Sequence, residues 1–359
     1  MKVINYIRML LWPIALLYGF VIRIRNLLFN INVLKSERFS LPVISVGNIT
    51  VGGTGKTPVT EYVIRLLKDD GKLALLSRGY KRESQGVIVA HGLSTAAEIG
   101  DEPKQILDKF PDVTVCVAEK RVDGICSLLA MEDRPDIIVL DDAYQHRYVN
   151  PGLNILVVDY HRPPWRDCML PAGELREPMN GKKRADIILI SKCPENMSAD
   201  EQDKFVRRMK PSDMQGVYFS TIGYQKVRPV FEDALALDSE KLCDHSVLSV
   251  TGIANPVPFE DHIARLVGEM SVMRFPDHHL FNENDIEKIA LRFSEISNEN
   301  KWVLTTEKDA VRFRQVLPSS SNLRKCLYYI PIEIKVLSNQ QEEFKDKIIT
   351  YVKQNKRNR

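Results

Sequence analysis

The sequence contains little that marks a disulfide-bonded or zinc-binding protein. Its 359 residues include six cysteines, which are scattered, with no C-x-x-C pair and no histidine at zinc-ligand spacing. Neither a disulfide framework nor a zinc site is therefore predicted, and reduced thiols in a cytosolic protein are expected. Basic and acidic residues nearly cancel, with 50 Lys and Arg against 47 Asp and Glu. We expect no nucleic-acid partner, because any basic surface must be local.

Internal repeats and low-complexity segments are also absent from the sequence. Apolar residues make up 44% and charged residues 27%, close to the balance of an ordinary globular protein, which excludes disorder, collagen and coiled coil as global descriptions. The length predicts two domains, or one large domain with an appendage.

The N-terminal segment 1–40 differs from the rest in composition. An uncharged run, 9–22, carries Trp12 and Tyr18 and has basic residues on both sides. It is shorter than the ~20 apolar residues that span a bilayer and contains Pro13, while no small-residue cleavage site follows it. We expect an amphipathic helix lying on a membrane surface. A buried core helix and a short spanning anchor are the alternatives.

From residue 41 onward, short apolar runs alternate with helical patterns. Runs of this kind are typical of strands buried on both faces of a parallel sheet, so a doubly wound α/β fold is predicted. The runs are 41–47, 72–79, 113–118, 136–142, 153–159, 186–192 and 216–221.

A second set of apolar runs begins near residue 245 and predicts a smaller C-terminal α/β domain. Its runs are 245–253, 271–279, 301–309 and 327–336. The pattern lapses over 222–240, which places the boundary there. We therefore divide the chain into a membrane-associated helix at 1–40, a larger α/β core at 41–225 and a smaller domain at 226–359.

The most informative segment is SVGNITVGGTGKTPVTEYVIRLL at 45–67, where an apolar strand, a glycine-rich turn and an amphipathic helix follow one another. This is the context that a P-loop requires, because glycine lets backbone N–H groups surround phosphate oxygens at a helix N-terminus. The predicted doubly wound fold is therefore of the P-loop NTPase type. Lys56 would reach the β- and γ-phosphates and Thr57 would ligate Mg²⁺. Thr50 stands where the usual pattern has glycine, and a chance glycine-rich turn is the alternative. The predicted nucleotide-binding residues are Thr50, Val51, Gly52, Gly53, Thr54, Gly55, Lys56 and Thr57.

A carboxylate pair follows another predicted strand. Asp141 and Asp142 end the run 136–142, as the metal-binding acids of P-loop enzymes do. Acids at strand ends are also common turn formers, but beside a P-loop we predict that this pair binds metal.

Several motifs together resemble the tetraacyldisaccharide 4′-kinases of lipid A biosynthesis. They are GNITVGGTGKTP (47–58), SRGYKR (77–82), GDEP (100–103), DDAYQHR (141–147), PAGELREP (171–178) and FPDHH (275–279). The resemblance implies a membrane-associated, ATP- and Mg²⁺-dependent phosphotransferase with an alcohol acceptor. Its substrate would be the 4′-hydroxyl of tetraacyldisaccharide 1-phosphate and its product lipid IVA, at the cytoplasmic face of a Gram-negative inner membrane. We expect a monomer.

Phosphoryl transfer also needs a base near the attacking hydroxyl. Asp101 is the candidate, and the resemblance implies that it acts with His278, although His279 is adjacent. Asp101 falls in the predicted core and His278 in the smaller domain, so we expect the pair to form when the domains approach. The alternative role for Asp101 is a helix N-cap. Glu102 is a further candidate metal ligand, and Lys56 completes the catalytic set.

Three arginines and a tyrosine are candidate substrate-binding residues: Arg78, Tyr80, Arg121 and Arg176. The planar guanidinium suits phosphate oxygens, and the tyrosine ring would stack on a sugar. Surface ion pairs are the alternative for the arginines.

Other polar residues have weaker assignments. His146 is interpreted as structural, and Lys192 as a residue that contacts the nucleotide. Segments 251–256 and 305–312 follow strands and have no assigned role.

Two other function classes fit the P-loop. One is a different P-loop kinase or an ATP-dependent ligase, and the other is a nucleotide-switched membrane scaffold. The N-terminal segment argues against a soluble substrate. The pair Asp101 and His278 argues against a switch, which needs no base for a sugar hydroxyl.

Overall fold

A computed structural model describes residues 10–235, 237 and 242–356 of the chain. Lys2, Arg8 and Met9 of the N-terminal segment therefore lie outside the described residues, as do 236 and 238–241 of the predicted boundary. The α-helices are α1 Trp12–Asn30, α2 Lys56–Leu67, α3 Ala96–Ile99, α4 Asp101–Lys109, α5 Arg121–Leu129, α6 Ala199–Met209, α7 Val257–Ala264, α8 Glu283–Ser294, α9 Glu307–Val316 and α10 Gln341–Lys356. The strands are β1 Val43–Gly47, β2 Leu73–Ser77, β3 Ile88–Val89, β4 Thr114–Val117, β5 Ile137–Asp141, β6 Leu153–Asp159, β7 Ile187–Ser191, β8 Gly216–Tyr224, β9 Arg228–Pro229, β10 Ser246–Thr251, β11 Glu269–Arg274, β12 Lys301–Thr306, β13 Leu327–Ile330 and β14 Ile332–Val336.

The chain divides into two compact units. The first comprises Met1–Ser94, Ile106–Gly223 and Glu333–Arg359, and the second comprises Thr95–Gln105 and Tyr224–Ile332. This division differs from the sequence-based boundaries at both ends. The last strand and helix belong to the first unit, and the segment that contains Asp101 belongs to the second.

The first unit is built on a nine-stranded sheet in the order β14-β8-β7-β6-β1-β5-β2-β4-β3. From β4 to β8 the paired strands run parallel. Strands β1, β2, β5 and β7 are buried along their whole length, because helices cover both faces of such a sheet. The doubly wound α/β prediction is confirmed, and all seven apolar runs of this region contain a strand.

The second unit has a five-stranded sheet in the order β11-β10-β12-β13-β9. Strands β10 to β13 pair in parallel, and the short β9 pairs antiparallel with β13. Strand order reverses direction at β10, since β11 lies on one side of it and β12 on the other. Ligands of open α/β sheets bind at the carboxyl ends of strands at such a point.

The apolar run 327–336 shows where sequence periodicity misleads. It forms two strands, β13 in the second sheet and β14 in the first. Pro331 separates them, and its missing N–H cannot continue a ladder. The predicted C-terminal domain therefore loses its last 27 residues, 333–359, to the first unit.

Helix α1 begins with Pro13 in its first turn, where a missing N–H costs nothing. It is long and apolar enough to cross a membrane, but only 17% of that stretch is buried, so the alternative of a buried core helix is wrong. One side contacts the first unit: the Tyr18 hydroxyl donates to the carbonyl of Arg176 at 2.9 Å, and Arg25 donates to the carbonyl of Gln145 at 3.0 Å. The opposite side is apolar and exposed.

Candidate active site

The glycine-rich loop joins β1 to α2 at the carboxyl end of the first sheet. Gly52 and Gly55 adopt φ angles of 84° and 87°, a left-handed backbone that glycine adopts without strain. The Asn48 amide crosses the loop and donates to the Thr54 hydroxyl at 2.8 Å. Helix α2 begins at Lys56, so its free N–H groups open toward the loop, as in a phosphate site.

Thr50 is the position that departs from the usual P-loop pattern, and the fold explains why it need not be glycine. It forms an antiparallel bridge with Leu175, so its backbone is extended. On either side, the Val51 N–H donates to the carbonyl of Glu174 at 2.7 Å and the Arg176 N–H donates to the carbonyl of Ile49 at 2.9 Å. The PAGELREP segment therefore supports the loop like an added strand.

Asp142 follows β5 and faces two cations. Its carboxylate lies 3.6 Å from Lys56 Nζ and 3.1 Å from Arg176. Burial acts to raise the pKa of Asp142, but Lys56 and then Arg176 outweigh it and hold that pKa below its usual value. The structure thus brings together an ionised acid, the P-loop lysine and one of the predicted substrate-binding arginines.

Asp141, the neighbouring acid, has a different environment. It is buried, and its carboxylate accepts hydrogen bonds from the hydroxyls of Thr60 at 3.0 Å and Ser77 at 3.3 Å. Its carbonyl accepts from Arg121 at 3.1 Å. These contacts link the ends of β5 and β2 to helix α2.

Arg121 is 2% exposed, and a second hydrogen bond runs from it to the carbonyl of Ala118 at 2.7 Å. Burial lowers its pKa to about 10. This environment is that of a residue bracing strand ends, and its predicted substrate contact stays a prediction.

Arg78 and Tyr80 lie beyond the end of β2 and are exposed. Both line a cavity of about 670 Å³ formed by residues 78–86 and Glu119. The Lys81 ammonium lies 5.8 Å from the centre of the Tyr80 ring. The two predicted substrate residues therefore share one open loop of the first unit.

His146 has a structural environment, as the sequence interpretation expects. Burial, together with the positive charges of Arg121 and Arg78, lowers its pKa to about 4. Its imidazole is therefore neutral near pH 7.

A second group of charged side chains lies at the carboxyl ends of β10 and β12 in the second unit. Asp101 accepts two hydrogen bonds from Arg312, at 2.7 Å and 3.1 Å, and its Oδ2 is 3.6 Å from His278 Nδ1. Arg312 also donates to Asp309 at 2.7 Å, and Asp309 accepts from the Gly252 N–H at 2.9 Å. The structure thus brings the predicted pair together inside one unit, in contrast to the expectation that it joins two domains.

Asp101 is ionised in this environment. Burial acts to raise its pKa, but hydrogen bonds from His278 and Arg312 prevail and lower it to about 2.

His278 is fixed at both ring nitrogens. Lys308 Nζ lies 3.2 Å from its Nε2 and also donates to Glu102 at 2.8 Å. At the other nitrogen, Nδ1, Arg312 Nη2 lies 3.4 Å away and the Asp101 carboxylate 3.6 Å away.

The adjacent His279 has another task. Its Nε2 lies 2.7 Å from Asp285 in the first turn of α8, and its ring stacks on Phe275. Of the two histidines, His278 is therefore the one beside Asp101.

Lys308 and Arg312 are the polar residues of this group that sequence reasoning missed. Both lie in the segment 305–312, whose polar residues after an apolar strand were the available signal. The groups they hold are distant in sequence, so nothing local to the segment marked their partners.

The candidate metal ligands are divided between the two units. Thr57, Asp141 and Asp142 lie in the first, whereas Glu102 lies in the second and pairs with Lys308. Within residues 10–235, 237 and 242–356 no group of three or more His, Cys, Asp or Glu side chains is arranged to hold a metal ion. The Thr57 hydroxyl and the ionised Asp142 carboxylate are hard oxygen donors of the kind Mg²⁺ prefers, and Mg²⁺ commonly takes its other ligands from phosphates and water.

Comparisons with known proteins identify the family. The family model described as tetraacyldisaccharide-1-P 4′-kinase matches residues 7–353. The tetraacyldisaccharide 4′-kinase of Bacteroides thetaiotaomicron is 44% identical over 357 residues, covering 97% of this chain and 94% of the relative. That of Flavobacterium johnsoniae is 42% identical over 351 residues, covering 98% and 99%. The crystal structure of LpxK from Aquifex aeolicus in complex with ATP is 29% identical with a TM-score of 0.73, covering 96% and 99%. The chain therefore belongs to the tetraacyldisaccharide 4′-kinase family.

Proposed function

We propose that this protein transfers the γ-phosphate of ATP to the 4′-hydroxyl of tetraacyldisaccharide 1-phosphate, giving lipid IVA and ADP. The observation that carries the proposal is the P-loop, where Lys56 begins helix α2 and faces the ionised Asp142 at 3.6 Å. Family membership gives the acceptor, because the matched relatives carry the name of that activity.

The reaction makes one bond and breaks one. The 4′-oxygen attacks the γ-phosphorus, the bond to the β,γ-bridging oxygen breaks, ADP leaves, and the hydroxyl proton passes to a base. Lys56 and the backbone N–H groups at the start of α2 neutralise the charge on the phosphate oxygens. Bound Mg²⁺ would add further neutralisation, with Thr57 and Asp142 as its protein ligands and Asp141 orienting the end of β5 beside them.

We assign proton removal to Asp101 acting with His278. Asp101 stays ionised because its pKa is lowered to about 2, and this makes it a weak proton acceptor on its own. His278 Nδ1 lies 3.6 Å from Asp101 Oδ2, so the carboxylate and the imidazole act as one unit that takes the hydroxyl proton. Lys308 and Arg312 fix the two members of the pair, and Glu102 holds Lys308.

Acceptor binding is assigned to Arg78, Tyr80 and Arg176. Arg176 already neutralises Asp142 at 3.1 Å, which places its planar fork at the phosphate end of the first unit. Arg78 and Tyr80 offer a cation and a ring on an open loop, suited to the 1-phosphate and a sugar face.

Helix α1 is the proposed membrane contact. Seven large apolar side chains between residues 14 and 27 are more than 40% exposed: Ile14, Leu16, Leu17, Phe20, Val21, Ile24 and Leu27. Hydrogen bonds from Tyr18 and Arg25 hold the other side on the protein body, so the helix fits a position on the membrane surface rather than across it. A lipid acceptor would be met there. We place the enzyme, as a monomer, at the cytoplasmic face of the inner membrane.

The membrane proposal is tested by partitioning into phosphatidylethanolamine–phosphatidylglycerol vesicles. Replacing Leu17 and Phe20 together by serine removes two exposed apolar side chains without disturbing packing. We expect at least a tenfold fall in the partition coefficient, since each side chain contributes about 1–2 kcal/mol when it enters lipid. Leu93→Ser is the matched control, because Leu93 is 87% exposed and lies off the helix. Equal partitioning of all three proteins would contradict the proposal.

The kinase activity is tested by transfer of labelled γ-phosphate from ATP to tetraacyldisaccharide 1-phosphate in detergent micelles with Mg²⁺. The expected product is a labelled bis-phosphorylated lipid, reduced about a thousandfold or more in Lys56→Ala, because a charge-stabilising donor is lost. Labelled inorganic phosphate without labelled lipid would instead favour the nucleotide-switched scaffold. Transfer to a soluble acceptor would favour a different P-loop kinase.

A further inference from the structure

Two consecutive residues at the end of β7 hold the P-loop from outside. The Ser191 hydroxyl donates to the carbonyl of Thr54 at 2.6 Å, and the Lys192 ammonium donates to the carbonyl of Gly53. Ser191 is fully buried. Lys192 has a φ of 60°, which turns the chain sharply just where its side chain meets the loop.

Lys192 is itself held by a buried acid on the neighbouring strand. Its ammonium lies 2.8 Å from Asp159, which ends β6 and is 4% exposed. Burial acts to raise the pKa of Asp159, but Lys192, with the His161 N–H and Arg162, outweighs it and the pKa is lowered. The Asp159 carboxylate is therefore charged. The Lys192 ammonium contacts both this carboxylate and the carbonyl of Gly53.

These contacts fix the direction of two peptide planes. In a trans peptide the C=O and the following N–H point in opposite directions. Drawing the carbonyl of Thr54 toward Ser191 therefore turns the N–H of Gly55 away from β7. The hydrogen bond from Lys192 to the carbonyl of Gly53 likewise fixes the peptide plane between Gly53 and Thr54. The N–H of that plane belongs to Thr54 and donates to the carbonyl of Gly52 at 3.0 Å, which closes a tight turn.

We propose that Lys192, held by Asp159, and Ser191 are positioning residues for ATP, which act by orienting the carbonyls of Gly53 and Thr54. They are not phosphate ligands in this account. Lys192 acts through the loop backbone, in place of the direct nucleotide contact expected from the sequence. The inference rests on the proposed function, because it assigns residues to the ATP site of that enzyme.

The test is a double-mutant cycle on the full-length protein, with the ATP dissociation constant as the readout. We expect Lys192→Met to raise it about tenfold, because a charged hydrogen bond to the loop is lost. We expect Asp159→Asn to raise the ATP dissociation constant severalfold, because Lys192 then loses its charged partner. The double variant should bind ATP little worse than Lys192→Met, since both substitutions break one chain of contacts.

Three controls keep the cycle interpretable. Lys182→Met removes another lysine that donates to a backbone carbonyl, that of Lys210, and should leave ATP binding unchanged. Lys192→Arg, which keeps a donor of similar reach, should recover most of the affinity. Thermal unfolding checks that each variant folds. If Lys192→Met does not fold, Ser191→Ala is used instead, because it removes the other hydrogen bond to the loop, the one to the Thr54 carbonyl.

The outcomes are distinct. An unchanged ATP dissociation constant in Lys192→Met, or in Ser191→Ala if that variant is used, overturns the inference. A rise in Lys192→Met with none in Asp159→Asn, or additive effects in the double variant, also overturns it, because Lys192 would then contact the nucleotide itself. If the wild type binds ATP as described but phosphorylates no lipid, the proposed function fails while the positioning roles stand on the binding data.

Discussion

The P-loop and the group around Asp101, which have different tasks in the proposed reaction, are built in different ways. The loop is built from backbone: eight consecutive residues, 50–57, supply N–H groups whose directions depend on glycine conformation and on hydrogen bonds to carbonyls. The second group is built from side chains that come from Asp101, His278, Lys308 and Arg312, which lie up to 211 residues apart. Backbone sites are readable as motifs, whereas side-chain sites depend on the tertiary fold.

The two regions also differ in electrostatics. Asp142 meets Lys56 at 3.6 Å and remains accessible, so phosphate and metal can exchange for that contact. Asp101 is held by Arg312 at 2.7 Å, and that arginine is nearly buried. The first arrangement suits binding, and the second suits keeping one pair of groups in a fixed orientation.

The largest expected effect separates these tasks. Asp101→Asn keeps the size of the side chain but removes its charge, so we expect kcat to fall about a thousandfold with the ATP dissociation constant unchanged. Arg312 retains Asp309 at 2.7 Å, which limits the loss of stability. Steady-state kinetics and equilibrium ATP binding measure the two quantities.

A double variant sharpens that prediction. Asp101→Asn with His278→Asn should be little slower than the worse single variant, because groups that act as a unit are not additive. Fully additive losses would mean that the two residues serve different steps.

The next effect concerns stability and is confined to the first unit. The pKa of His146 is about 4 in the folded protein, below the ~6.5 of an unfolded chain. The unfolded state therefore binds the proton more readily below pH 6.5, and stability falls as the pH drops toward 4. Between pH 8 and pH 5, the wild type should lose about 2 kcal/mol more unfolding free energy than His146→Gln.

Urea denaturation at the two pH values measures this difference. At pH 8 His146 is neutral in both the folded and the unfolded state. Any difference in stability between the wild type and His146→Gln at that pH therefore comes from packing. Parallel pH dependences for wild type and variant would show that the imidazole titrates normally in the fold.

The smallest effect tests a residue that the motifs did not identify. Lys308→Met removes the contact with His278 Nε2 and leaves Glu102 without its 2.8 Å partner. We expect about a tenfold loss of kcat, since the imidazole loses its orientation but remains present. Arg292→Met is the control, because it breaks an exposed pair with Glu295 in the same unit. Equal kcat values for the two variants would remove Lys308 from the account.

The P-loop could be predicted from the sequence alone, because its strand, glycines, Lys56 and helix are contiguous and each has a local physical cause. The sequence also predicted the strands of both sheets except the two short ones, β3 and β9, which lie outside the apolar runs. It misassigned the run 327–336, because periodicity does not tell which of two sheets a strand joins. It placed Asp101 in the wrong unit, since the segment 95–105 belongs with residues more than a hundred positions away, whereas the resemblance paired Asp101 with His278, which lies 3.6 Å from it.

Buried charge was equally hidden from sequence reasoning. A surface ion pair was the alternative role for Arg121, yet its side chain is 2% exposed and donates hydrogen bonds to two backbone carbonyls. Lys192 was predicted to contact the nucleotide, and its contact with the Gly53 carbonyl could not be foreseen from the sequence. Burial and hydrogen-bond partners are properties of the fold, so a single sequence does not report them.

In the proposed reaction, phosphate binding and proton removal are assigned to separate sets of residues. The most direct test measures the ATP dissociation constant and the single-turnover transfer rate for Lys56→Ala and Asp101→Asn side by side. We expect Lys56→Ala to weaken ATP binding at least tenfold and also to abolish transfer, while Asp101→Asn binds ATP like the wild type and fails only in transfer. A matching loss of ATP affinity in Asp101→Asn would contradict this assignment.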